Sequence, residues 1–111
     1  MREPLALLKG TLDVLVLKAL AWAPMHGFEI AAWLEERSNG SLDVDDSALY
    51  YALHRMEERG LIESEWRQTD SSRRARYYKL RPSGRQHLKQ AGANLERYAH
   101  ALTTILASPS R

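Results

Sequence analysis

Apolar residues recur at three- and four-residue steps in the first part of the chain, a spacing that is typical of helices. One such stretch covers residues 5–22 and ends before Pro24, which cannot continue a helix. It is apolar on nearly all sides, so we expect it to be buried against more than one surface. A second, shorter helix is predicted over residues 26–38, because Asn39-Gly40 is a good C-terminal stop.

A third helix is predicted to begin at Asp45 or Asp46, whose carboxylates can cap free backbone amides, and to end at Gly60. With Asp43 these aspartates form a cluster, but it lacks the glycine and final glutamate of a calcium loop, so we expect capping. The inner face of this helix is apolar and consists of Leu49, Ala52, Leu53 and Met56. The outer face is aromatic and hydrogen-bonding and consists of Ser47, Tyr50, Tyr51, His54, Arg55 and Glu58.

After Gly60 the apolar period changes from helical to two, which is typical of strands. We expect strands over residues 61–67 and 74–80, joined by the polar residues 68–73 into a two-stranded hairpin. The joining segment has no glycine, so we expect a loose loop rather than a two-residue turn.

A long helix is predicted to begin at Pro82 and to run to about Leu106. Apolar residues follow one another along it in steps of three and four, as in the seam of a coiled coil. Two interpretations stay open, an interface with a second chain or an amphipathic helix docked on its own domain. The seam residues are Leu88, Ala91, Leu95, Tyr98, Leu102 and Ile105.

The 111 residues have the composition of one folded domain. Cysteine is absent, which excludes a disulfide framework, a thiolate metal site and a cysteine nucleophile and fits an intracellular setting. The longest apolar stretch, residues 12–24, is too short and too interrupted to span a bilayer, and no signal-peptide cleavage site follows it. We therefore expect a cytoplasmic protein with no membrane partner.

Nothing in the sequence indicates catalysis. The four histidines show no paired spacing of metal ligands, and neither a glycine-rich phosphate loop nor a nucleophile elbow is present. His26 precedes Gly27 at a helix start, so we expect a cap or a packed side chain there. We predict no enzyme, no cofactor and no metal site.

The net charge is only +2, but the excess of positive residues lies within residues 73–85. A local basic cluster is a weak sign of a polyanionic partner, and a solvated charged face is the alternative. Three helices followed by a hairpin are the plan of a winged helix-turn-helix, which is mainly α with a small two-stranded β wing. In that plan the outer face of the third helix fits the major groove and cations at the hairpin tip reach phosphates. A winged-helix module that binds proteins and no DNA is the alternative.

Five short motifs follow one another over nearly the whole chain. They are Leu8-Lys9-Gly10-Thr11-Leu12-Asp13, Met25-His26-Gly27-Phe28-Glu29-Ile30, Leu49-Tyr50-Tyr51-Ala52-Leu53-His54-Arg55-Met56-Glu57, Arg73-Arg74-Ala75-Arg76-Tyr77-Tyr78-Lys79-Leu80 and Pro82-Ser83-Gly84-Arg85. In this order they resemble the PadR family of transcriptional regulators, in particular its short members with one C-terminal helix. The family usually has Gly-Thr at Ser47-Ala48 and Pro at Tyr51, so an operator sequence does not transfer from relatives.

The resemblance implies a homodimer in which the last helix packs on the first and last helices of the partner. Leu12 and the seam residues would then form the interface, and Trp22 fits either this interface or the core. The resemblance also implies that some members look able to bind flat aromatic compounds between tryptophans at the dimer centre. The last helix here has only Tyr98 as a large aromatic, so such drug sensing is not expected, and a small-molecule effector stays unidentified.

We predict a transcriptional regulator that binds duplex DNA sequence-specifically. It would be a repressor and act as a homodimer on a pseudo-palindromic operator. Residues 1–81 would form the DNA-binding domain, 82–107 the dimerisation helix and 108–111 a tail. Two of the residues predicted to contact DNA have an alternative role. Tyr50 would pack under the wing, and Arg55 would form an ion pair with Glu58 or Glu63. We expect Trp33 and Trp66 in the core. The predicted DNA contacts are Ser47, Tyr50, Tyr51, His54, Arg55, Arg73, Arg74 and Arg76.

Overall fold

The computed structural model describes residues 3–8 and 10–111. Within these residues the helices are α1 (Thr11–Trp22), α2 (Gly27–Arg37), α3 (Asp46–Glu58) and α4 (Pro82–Leu106). The strands are β1 (Leu5–Ala6), β2 (Met25–His26), β3 (Leu42–Asp43), β4 (Ile62–Gln68) and β5 (Arg74–Leu80). The predicted architecture, three helices followed by a β wing and a long last helix, is confirmed.

The core lies between α1, α2 and α3 and is closed on one side by the sheet. Fully buried side chains from each helix meet there, among them Leu17, Ile30 and Leu53. The predicted inner face of α3 is confirmed, because all four of its residues are buried. Tyr78 closes the core from β5, and burial raises the pKa of its phenol above the usual value.

The prediction that the first helix begins at residue 5 is wrong, since α1 begins at Thr11. Gly10 has a φ of +89°, a left-handed conformation in which a helix cannot continue and which glycine adopts without strain. Upstream of it, Leu5–Ala6 pairs in parallel with Leu42–Asp43, and the Leu5 amide donates to the Ser41 carbonyl at 2.7 Å. Lys9, which the same prediction included, lies outside the described residues.

The predicted helix starts of α2 and α3 are confirmed by their caps. The His26 imidazole accepts a hydrogen bond from the Glu29 amide, and the Glu29 carboxylate accepts one from the His26 amide. This reciprocal pair satisfies two amides that the first turn leaves free. Asp45 caps α3 by accepting from the Ala48 amide at 2.9 Å.

The hairpin is confirmed, but the sheet has one strand more than predicted. β4 and β5 pair antiparallel, with Ile62 opposite Leu80 and Trp66 opposite Arg76. β2 adds to the other edge of β5, so the order is β2-β5-β4. A strand of two residues has no period of its own, which is why the sequence did not indicate it.

The prediction that Trp66 lies in the core is wrong, because its side chain is 58% exposed. It lies in the half of the hairpin towards the tip, where neither strand has a buried residue, and the Arg74 guanidinium stands 5.4 Å from its ring centre. Trp33 is half-buried, and Trp22 is exposed. Arg37 stands 5.0 Å from each of these two rings in a cation–π cluster, and Trp33 also packs against the core, as predicted.

α4 leaves the wing at Pro82 and docks on α1 only through its first half. The Ser83 hydroxyl donates to the Gly60 carbonyl at 2.7 Å, and Leu88 packs against the core. Beyond Leu95 every residue of the helix is exposed. The molecule is therefore elongated, with principal extents of 60 × 35 × 21 Å.

Gly84 sets the distance between α4 and the start of β4. A Cβ at this position would lie 2.0 Å from the Leu61 carbonyl oxygen, a backbone atom that cannot move away cheaply. We expect Gly84→Ala to lower the free energy of unfolding by about 3 kcal/mol, the upper end of the usual overpacking cost. Urea unfolding followed by circular dichroism measures this.

Gly92→Ala in the same helix is the matched control. A Cβ there would meet only ordinary contacts, at 3.9 Å from Leu88 and 4.0 Å from Val14. Replacing a helical glycine by alanine then stabilises by about 0.5–1 kcal/mol. Equal stability of Gly84→Ala and the wild type would show that α4 does not approach β4 so closely.

Candidate nucleic-acid interface

The outer face of α3 presents its polar and aromatic side chains to solvent. Ser47, Tyr51 and His54 are all exposed, and Tyr51 is 66% accessible. The His54 imidazole lies 3.3 Å from the Glu58 carboxylate, one turn along the helix, and both side chains are well solvated. An exposed helix face with these donors and acceptors has the chemistry needed to contact base edges.

Tyr50 packs against the beginning of α2. Its ring and hydroxyl lie so close to Gly27 that a Cβ there would be 2.6 Å from them. The side chain is nevertheless 52% exposed, and it lines the groove between α2 and the wing. Tyr50 thus lies between the start of α2 and the wing, and both DNA contact and packing under the wing stay predictions.

The wing tip is a closed turn rather than the loose loop predicted. The Thr69 amide donates to the Arg73 carbonyl at 2.6 Å, and the Arg73 amide donates to the Thr69 hydroxyl at 3.3 Å. Ser72 has a φ of +65° and takes the left-handed position that glycine usually fills. One backbone hydrogen bond and one hydrogen bond to a side-chain hydroxyl thus close the turn, although the sequence has no glycine there.

The wing arginines fall into two classes. Arg73 and Arg74 are exposed, and within the described residues neither forms an ion pair. Arg76 instead donates to the Ser64 hydroxyl at 2.7 Å and lies 3.3 Å from the Glu57 carboxylate. It therefore connects the sheet to the end of α3, which sets it apart from the two free arginines.

An open groove of about 640 Å³ separates α2 and α3 from the wing. Phe28, Tyr50 and Trp66 provide its aromatic surface, and the free arginines Arg73 and Arg74 lie along its wing side. Phe28 and Trp66 were not predicted as site residues. Phe28 follows the capped start of α2 and is 78% exposed. The hydrophobic pattern could not predict this exposure, because phenylalanine is usually a core residue.

Arg55 pairs with Asp13 of α1, a partner that differs from both acids considered in the sequence. Its Nη2 donates to both carboxylate oxygens of Asp13, at 2.6 Å to Oδ2. Glu58 contacts His54, and Glu63 contacts Lys79 and Arg81. The hydrogen bond to Asp13 raises the pKa of Arg55 above its usual value, against the opposing effect of burial.

The residues predicted for the dimer interface, Leu12 of α1 and the seam of α4, have two environments. Leu12, Leu88, Ala91 and Leu95 are half-buried within the single chain. Tyr98 and Ile105 are 60% and 68% exposed, and Leu102 is 39% exposed. The first half of the seam is thus partly covered by its own domain, and the second half is an apolar face in solvent.

The described part of the chain brings together no group of three histidine, aspartate or glutamate side chains that can hold a metal ion. Among the same residues no helix is long and apolar enough to cross a bilayer.

Comparison with protein families gives a match that covers most of this architecture. Residues 16–90, from α1 into α4, match the family described as the transcriptional regulator PadR-like family. These residues include α3, the wing and the groove between them.

Solved structures show the same fold. A PadR family transcription regulator from Clostridium difficile R20291 is 28% identical, with a TM-score of 0.75 over 88% of this chain and 100% of that chain. One from Eggerthella lenta is 26% identical, with a TM-score of 0.74 over 91% and 86%. PadR of Bacillus subtilis, solved in complex with operator DNA, is similar in fold at 21% identity, with a TM-score of 0.65 over 73% and 46%.

Proposed function

This chain belongs to the transcriptional regulator PadR-like family, and we propose from this premise that it is a repressor that binds a pseudo-palindromic operator as a homodimer. The family consists of DNA-binding transcriptional regulators rather than enzymes. We place the action of this member in the cytoplasm, on duplex DNA.

One observation carries the proposal: the exposed face of α3 shares a groove, through Tyr50, with two arginines to which the described residues offer no acidic partner. Ser47, Tyr51 and His54 can contact base edges in the major groove, while Arg73 and Arg74 can bind phosphates. The groove between α3 and the wing gives a DNA backbone room to pass between them. The complex of Bacillus subtilis PadR with operator DNA supports this assignment by likeness of fold.

The free end of α4 supports the homodimer. Tyr98, Leu102, Ile105 and Leu106 expose apolar surface that a second copy of the same helix would cover. Each such side chain contributes about 1.5–3 kcal/mol when it is fully buried. A two-fold axis through this contact would present two α3 helices to one DNA duplex.

Repression follows from occupancy in this proposal. Bound protein would act by covering promoter DNA. A reporter whose promoter overlaps the operator should lose expression when the protein is present. Increased expression would replace the repressor with an activator and leave the DNA-binding proposal intact.

Footprinting on operator fragments selected from genomic DNA tests the symmetric site. We expect two inverted half-sites with centres about 34 Å apart, one turn of duplex, because a dimer places its two reading helices at that spacing. A duplex with one half-site replaced by random sequence is the control and should bind much more weakly. Full-affinity binding of one monomer to one asymmetric half-site would contradict the proposal.

A further inference from the structure

An ion pair joins α1 to α3 at the edge of the proposed reading face. The guanidinium of Arg55 reaches both carboxylate oxygens of Asp13, 42 residues earlier in the chain. The Asp13 and Arg55 side chains are 23% and 37% exposed, so water screens their attraction less than at an open surface. Held in this way, the charge of Arg55 is neutralised by a fixed partner.

Arg55 also contacts the reading face itself. Its guanidinium carbon lies 5.2 Å from the ring centre of Tyr51, a cation–π contact within α3. Tyr51 is 66% exposed and has this guanidinium beside it. The orientation of an exposed reading side chain thus depends on a guanidinium whose own position is fixed by α1.

Without its carboxylate partner Arg55 would behave differently. A long, charged side chain on the face that approaches DNA binds phosphate whatever the base sequence, and it makes binding more dependent on salt. The same movement would remove the guanidinium from the Tyr51 ring. Affinity for random DNA and preference for the operator would then change in opposite directions.

We propose that Asp13 is a positioning residue for DNA reading: it holds Arg55 beside Tyr51 and keeps this arginine from binding a phosphate. The inference rests on the proposed function, because it assigns Tyr51 to base contact. It adds that α1, which also carries the predicted interface residue Leu12, contributes to specificity through Asp13.

Asp13→Asn tests this with the full chain on operator and random duplexes over a series of salt concentrations. We expect tighter binding to random DNA. The plot of log affinity against log salt concentration should become steeper by about 0.9, as for one added phosphate contact. The ratio of operator to random affinity should fall by on the order of tenfold, the loss of one modest base contact. Asp13→Glu keeps the charge and should restore much of the wild-type behaviour.

Two variants separate this effect from a general change of charge. Asp46→Asn removes the same charge from the first turn of α3, and among the described contacts Asp46 has no arginine partner, so the slope should stay unchanged. Arg55→Gln removes the guanidinium itself. It should lower operator preference without changing the slope, because the wild-type Arg55 does not bind phosphate in this proposal.

Three results would overturn the inference. They are a folded Asp13→Asn protein with unchanged slope and ratio, an equal weakening on both duplexes with unchanged slope, and a flatter slope for Arg55→Gln. The Arg55→Gln result remains decisive where Asp13→Asn does not fold. Absence of any operator preference in the wild-type protein would refute the proposed function separately, while the slopes on random DNA still report on the Asp13–Arg55 pair.

Discussion

Aspartate at both Leu95 and Leu102 is expected to convert the dimer into monomers and to abolish tight operator binding. The two positions are seven residues apart on one stripe of α4, so the double variant places four carboxylates at the proposed two-fold contact. Buried charges without partners cost several kcal/mol each. Light scattering should give the monomer mass. Operator affinity should fall by about a hundredfold to ten-thousandfold, because the two DNA-binding domains are no longer linked in one molecule.

The matched control places aspartate at Ala93 and His100 in the same helix. These positions are also seven residues apart, both are exposed, and they lie on the side of α4 away from the seam. This variant should remain a dimer with near-normal operator binding. An unchanged, folded dimer for the Leu95 and Leu102 variant would remove the seam from the assembly.

The elements with strong local signals were predictable from the sequence. Asp45 and His26 cap helices because their side chains reach amides three residues ahead, and both positions follow from residue type and spacing. The β4–β5 pairing follows from a period of two on each side of a polar segment. Pro82 fixes the start of α4 for the same local reason.

The elements that depend on distant partners were not predictable. The apolar spacing of Leu5–Ala6 continues that of α1 and therefore predicts a helix. Instead this segment pairs with Leu42–Asp43, and Gly10, in a left-handed conformation, separates it from α1. Trp66 was predicted in the core from its residue type. It is exposed because no other described element packs on the hairpin near its tip. Pattern describes one segment at a time, whereas burial depends on what lies opposite.

The arginines of the candidate interface show the same limit. Arg55, Arg73, Arg74 and Arg76 were all predicted as DNA contacts because the sequence gives each the same charge and a plausible location. The structure pairs Arg55 with Asp13 and Arg76 with Glu57, through separations of 42 and 19 residues. The difference between a free and a paired arginine is a tertiary property, so residue type and position in the sequence do not reveal it.

The wing and the reading helix are expected to fail in different ways when they are mutated. Arg73→Ala with Arg74→Ala removes two free cations at the wing tip, so it should weaken operator and random duplexes together and flatten the salt slope by about 0.9 for each lost phosphate contact. Arg76→Ala is the matched wing control, since this side chain is already engaged by Glu57 and Ser64 and should change the slope much less.

Tyr51→Ala or His54→Ala should leave the salt slope nearly intact and reduce the operator-to-random ratio instead. Each of these side chains is exposed on the outer face of α3, and a good base contact discriminates by about 1–3 kcal/mol, or roughly five- to 150-fold. Salt titrations of every variant on both duplexes measure slope and ratio in one experiment. Wing variants that lost sequence preference, with α3 variants that kept it, would move the reading surface from α3 to the wing.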